Sequence, residues 1–173
     1  IERAAGSQFD DLLIGNSQYN IFFASGGNDT IVGSNDQLNF SDVTYLPYGQ
    51  PLTEGVTVDL KQGQMSYSLG TIQYSGITEV TGTALNDKLT GDSQSNYLEG
   101  GLGNDIYVVD SAGDVVVEAA LGGTDLVQTT LNGYVLADQV ESLTVTSLTG
   151  ITASGNALNN IITGGTGDDD LAG

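Results

Sequence analysis

Side chains able to hold a cation recur in this sequence on a nine-residue ruler. Gly82, Gly91 and Gly100 are followed five positions later by Asp87, Asn96 and Asp105, and seven positions later by Leu89, Leu98 and Tyr107. The same ruler fits the amino-terminal segment, where Gly6, Gly15 and Gly33 open units and Ala24 stands in a glycine's place. Asp11, Asn20 and Asp29 fill the sixth position there, Leu38 occupies that slot in the fourth unit, and Leu13, Phe22, Ile31 and Phe40 fill the eighth. Gly155 and Gly164 open two more units, with Asn160 and Asp169 sixth and Ile162 and Leu171 eighth. After Asp105 the register persists to Asp114 and then slips by two residues to Asp125.

The chemistry these residues suit is cation binding. If two units make one coil, residues 18 apart stack on one edge, and neighbouring strands lie about 4.8 Å apart. Two unit charges at roughly 5 Å repel by about 3 kcal/mol at an effective dielectric of about 20. A calcium ion reverses that sign, because its oxygens lie at about 2.3–2.6 Å and two across one ion are about 5 Å apart. Magnesium wants a tighter octahedron, and zinc wants His or Cys, of which the chain has none. The pairs Asp11/Asp29, Asp87/Asp105 and Asp105/Asp125 are the better expected sites; Asn20/Leu38 is expected to be empty.

Other chemistries find little support. Without His or Cys, the common general base and the thiol nucleophile are missing, and no disulfide can form. Acidic pairs resembling those of glycosidases arise readily among 22 acidic residues, and here they serve better as metal ligands. The chain is therefore read as not itself an enzyme. A net charge of −19, with three basic residues, disfavours nucleic acid and anionic membranes as partners. No apolar run approaches the roughly 18 residues of a membrane-spanning helix.

The elements that must position these groups follow from the unit itself. Six residues form a turn, where Gly supplies unusual φ values and Asp or Asn bonds its own backbone. Three residues form a strand whose central apolar side chain points inward. Stacking then builds a continuous apolar file, so the expected fold is all-β, a parallel β-roll or β-solenoid with irregular insertions. One domain is expected over 1–173, with regular coils near 6–41, 82–127 and 155–173. An irregular insertion spans 42–81, with a loop from Pro47 to Glu54, and degenerate strands cover 128–154. Tyr45, Tyr48, Tyr67 and Tyr74 in the insertion are the candidates for a partner surface. The chain begins without Met and stops inside a repeat, and is read as a piece of a longer protein.

GGLGNDIYV at 100–108 and GGTGDDDLA at 164–172 resemble the RTX nonapeptide, a Gly- and Asp-rich calcium-binding repeat. DVVVEAALGGTDLVQTTL and NALNNIITGGTGDDDLAG are similar to degenerate repeat regions of large secreted RTX proteins. The resemblance implies side-chain ligands at Asp11, Asp29, Asp87, Asp105, Asp114, Asp125 and Asp169, with Asn96 as a neutral, weaker one. It implies carbonyl ligands from turn glycines Gly27, Gly101, Gly103, Gly165 and Gly167. It further implies type I secretion, folding in external calcium, and a place outside the cell or on its surface. Two partner classes fit beside calcium: copies of the module itself, in a surface layer, filament or adhesin, or neutral glycans, if it is an accessory of a polysaccharide-active enzyme or toxin.

Overall fold

The structure, a computed structural model, describes residues 2–23, 26–41, 45–46 and 50–173. Among these residues there is no helix, and the strands stack in parallel into a β-solenoid of about nine turns. The reason is local: each short strand turns only one or two side chains inward, so it gains apolar burial only by lying on its neighbours.

Two faces carry the stack. One has the strands Thr57–Asp59, Lys88–Thr90, Ile106–Val109, Leu126–Thr129, Ser142–Val145 and Ile161–Thr163 paired in succession. Their central residues Val58, Leu89, Tyr107, Val127 and Leu143 are fully buried and form one file. The opposite face aligns Phe22 with Leu38, Leu38 with Val80, Val80 with Leu98 and Leu98 with Val116. Strands Gly27–Asn39 and Gly70–Thr81 are long enough to run round from one face to the other, with a register shift between Val32 and Asp36.

The coil length varies. Successive coils at one edge are separated by 31, 18, 20 and 16 residues, although the strands remain in register. This variation corrects one expectation. Asn20 is matched by Asp36, 16 residues on, because the fourth unit is two residues short. Leu38 therefore lies on the core file against Phe22, not in the ligand slot, and Phe40 is buried beyond the strand.

Residues of the insertion join the roll. Thr57–Asp59 forms the end strand of one face, and Gln64–Tyr67 pairs antiparallel with Gly70–Gln73. Val56, Val58, Met65, Ile72 and Tyr74 are buried in the same core. Tyr74 is buried and its hydroxyl donates to the Asp59 carbonyl at 2.7 Å, which makes it a packing residue rather than a surface one. Tyr48, the side chain of Tyr45 and Ala24 lie outside the described residues.

Candidate metal centre

Each coil brings its sixth-position residue to the corner before a strand, and there the carboxylates form a ladder. The amide of Asp87 donates to Asp105 Oδ1 at 2.7 Å, and that of Asp105 donates to Asp125 Oδ1 at 2.8 Å. Val56 donates likewise to Asp87, and Asp125 to Glu141. On the other corners Asp11 donates to Asp29, Asn20 to Asp36, Asn96 to Asp114 and Ile151 to Asp169. The expectation of bare carboxylates facing one another is thereby amended. One oxygen of each is capped by the amide of the preceding coil, and a hydrogen bond to the ionised form offsets part of the repulsion.

What the second oxygen does separates the sites. Asp87 Oδ2 accepts the Thr83 amide, Asp114 Oδ2 the amides of Asp110 and Ser111, and Asp169 Oδ2 the amide of Gly165. Asp11 Oδ2 accepts both the amide and the hydroxyl of Ser7. Asn96 Oδ1 accepts the Asp92 amide, as a turn former would. In these turns the acidic side chain is engaged by its own loop. Asp105 Oδ2 and Asp125 Oδ2 differ: both are buried and have no hydrogen-bond partner.

Around those two oxygens the structure gathers a third carboxylate. One oxygen each of Asp105, Glu118 and Asp125 lie within 4.8 Å of one another. Asp105 and Asp125 are each 1% exposed, whereas Glu118 is half-buried. The space exists because the neighbouring turns carry glycine. A Cβ on Gly100 would strike Asp105 Oδ2 and the Tyr107 hydroxyl, and one on Gly122 would lie 2.8 Å from Glu118 Oε2.

Burial, first of all, pushes Asp105 up to about 7. The charged groups that bear on it, Asp87, Glu118 and Asp125, are all negative and push the same way. Glu118 is likewise raised to about 7 by burial, against the Tyr107 hydrogen bond that lowers it. Asp87, Asp114 and Asp125 are raised chiefly by burial too. Contrast the turn at Asp110, where the Lys61 ammonium stands 2.6 Å from Asp110 Oδ2 and supplies a tethered positive charge. The cluster of three has unspent negative charge, dry walls and hard oxygen donors. Those properties suit a calcium ion and suit neither zinc nor a soft metal.

The predicted glycines lie in the same turns. Gly101 and Gly103, at φ 108° and 123°, stand in the loop that ends at Asp105. Gly165 and Gly167 lie in the loop before Asp169, and Gly27, at φ 101°, opens the strand that carries Asp29. Three acidic residues were missed by the sequence reading: Asp36, Glu118 and Glu141. Asp36 and Glu141 become visible once coils of 16 residues are allowed. Glu118 stands 18 residues after Gly100, in the place where a unit would open with glycine, and nothing in the nine-residue ruler marks it.

Comparison with known proteins agrees with this geometry. Residues 5–37, 79–116 and 152–173, together more than half of the chain, match the family model described as RTX calcium-binding nonapeptide repeat (4 copies). Over 87 residues the chain is 45% identical to the Endo-1,3-1,4-beta-glycanase ExsH of Rhizobium meliloti (strain 1021). That match covers 50% of this chain and 18% of the relative's length.

Proposed function

The chain belongs to the family of RTX calcium-binding nonapeptide repeats, and on that premise we propose that it is a calcium-cemented structural module of a larger secreted protein. The observation that carries the reading is the pair of buried, unpartnered oxygens on Asp105 and Asp125. An ion held there gains from charge neutralisation and joins two successive coils. Binding and folding are therefore one coupled process. The module's own side chains bind and orient; they perform no covalent step. Asp29, Asp87, Asp114 and Asp169, each capped by the preceding coil, supply further oxygens at their own corners, as does Asp11, with Asn96 as a neutral, weaker contributor. Carbonyls of Gly27, Gly101, Gly103, Gly165 and Gly167 complete the coordination of a cation that takes six to eight oxygens.

Secretion follows as part of the same reading. Sites of the extracellular kind hold calcium at about 10⁻⁴–10⁻³ M, so such a module is loose where calcium is scarce and rigid outside the cell. Far-UV circular dichroism during a calcium titration to about 10 mM, with magnesium as control, tests it. A cooperative gain of β signal with calcium alone is expected. A full β signal in chelator, unaltered by calcium, would overturn the reading.

The match to a glycanase favours one role for the module over the other: an accessory segment of a polysaccharide-active polypeptide. In that role the module binds neutral glycan beside a catalytic domain, and retardation by neutral glycans in affinity electrophoresis is its check. Calcium-dependent polymers in sedimentation, without glycan retardation, would instead favour assembly into a layer or filament.

A further inference from the structure

We propose that Glu118 turns the Asp105–Asp125 pair into a three-carboxylate site, which takes the first and most tightly held divalent cation of this chain. The inference rests on the calcium reading above and sharpens it to one residue outside the repeat's sixth position. Glu118 follows the strand Val115–Val117 on the face opposite to that entered from Asp105 and Asp125. Its side chain nevertheless reaches the buried corner, with one oxygen within 4.8 Å of oxygens from both aspartates. Two of the three residues are nearly inaccessible to water and keep an unpartnered oxygen. No other group of three acidic residues among those described converges in this way.

Tyr107 holds the glutamate in position. Its ring is fully buried in the core file, and its hydroxyl accepts the Gly100 amide at 2.7 Å while donating to Glu118 Oε1. The second oxygen, Oε2, accepts the Ala119 amide at 3.1 Å. The hydroxyl thus ties the turn at Gly100 to the turn at Glu118, one coil further on, and aims the carboxylate at the aspartates. Affinity for calcium rises with the number of charged ligands and the rigidity of the site, and both are greater here than at the two-carboxylate corners. Tyr107 is a positioning residue and need not touch the ion.

Terbium, a trivalent ion that binds calcium sites, tests this directly. The chain has no Trp, so emission excited through the protein must come by way of tyrosine, and Tyr107 adjoins the proposed site. Terbium should bind the whole chain with tyrosine-sensitised emission that excess calcium abolishes. Tyr107→Phe should lose most of that emission while calorimetry still counts the ion. Glu118→Gln should weaken the tightest binding step by about tenfold or more. Glu118→Asp, which keeps the charge but shortens the reach, should weaken it less. Glu99→Gln, a charge loss at the end of the neighbouring strand, where Glu99 pairs with Val117 and accepts the Thr81 hydroxyl, should leave that step unchanged. Equal affinity in Glu118→Gln and the parent chain would overturn the role of Glu118 and leave calcium binding by the aspartates standing. No binding of terbium or calcium by the parent chain would overturn the calcium reading itself.

Discussion

At Asp105 a carboxylate is dry, surrounded by negative charge and only half capped, and burial lifts its pKa to about 7. Glu118 is raised to about the same value. Both groups bind protons more tightly in the folded, metal-free chain than in the unfolded one, whose carboxylates titrate near about 4. Folding stability without metal should therefore be greatest at mildly acidic pH and fall as pH rises from about 4 through about 7. Thermal melts of the metal-free protein at pH values on either side of that window check the sign. Asp105→Asn keeps an acceptor for the Asp87 amide but removes the charge. It should melt higher than the parent without metal above pH 7, and gain less from calcium; a variant that gained as much as the parent would remove Asp105 from the site. The sixth-position aspartates were legible in the sequence because type and spacing repeat together. Glu118 was not, because it reaches the corner through side-chain length from the opposite face, and a one-dimensional ruler does not register reach.

Among the elements, the turns absorb irregularity and the strands do not. Gly103 shows what that demands. With φ at 123°, its missing Cβ would stand 2.5 Å from the Leu85 backbone carbonyl group of the preceding coil. Gly133 also has positive φ, at 78°, but nothing lies within 4 Å of an added Cβ. Gly103→Ala should cost about 1–3 kcal/mol through strain and lost stacking, whereas Gly133→Ala should cost only the local penalty of about 1 kcal/mol. Urea or thermal unfolding in saturating calcium measures both, and equal losses would mean that close turn packing is not what the glycines protect. The strand positions Leu89, Leu98, Tyr107, Ile162 and Leu171 were legible because an apolar residue stands at a fixed distance from glycine. Leu38 and Phe40 were assigned to the wrong slots because a coil two residues short keeps the strand register while it breaks the period.

For the whole molecule, a net charge of −19 opposes a compact state, and metal binding relieves it. Each ion held at about 10⁻⁴–10⁻³ M should add about 1.4–2.7 kcal/mol at about 10 mM calcium. Differential scanning calorimetry should show a melting temperature that climbs with calcium and responds far less to magnesium at equal ionic strength. Equal shifts with both ions would reduce the effect to screening. The architecture was legible because self-similarity decides it; the joining of the insertion to the roll was not, since Val58 and Met65 carry no repeat signature. One further property follows from the amide-to-carboxylate ladder. In the corner rungs at Asp29, Asp36, Asp87, Asp105, Asp114, Asp125, Glu141 and Asp169 the donor belongs to the earlier coil and the acceptor to the later one. The amides of Asn28, Asn104, Thr124 and Thr152 donate the other way, to Asp10, Asn86, Asn104 and Asn132. Side chains therefore tie each coil to its neighbours in both directions, beyond what the strands alone provide. A coil is completed by its successor and its predecessor together, so an open end of the roll presents amides awaiting an acceptor beside oxygens awaiting a donor. Any surface that extends or caps this roll must therefore offer donors and acceptors together.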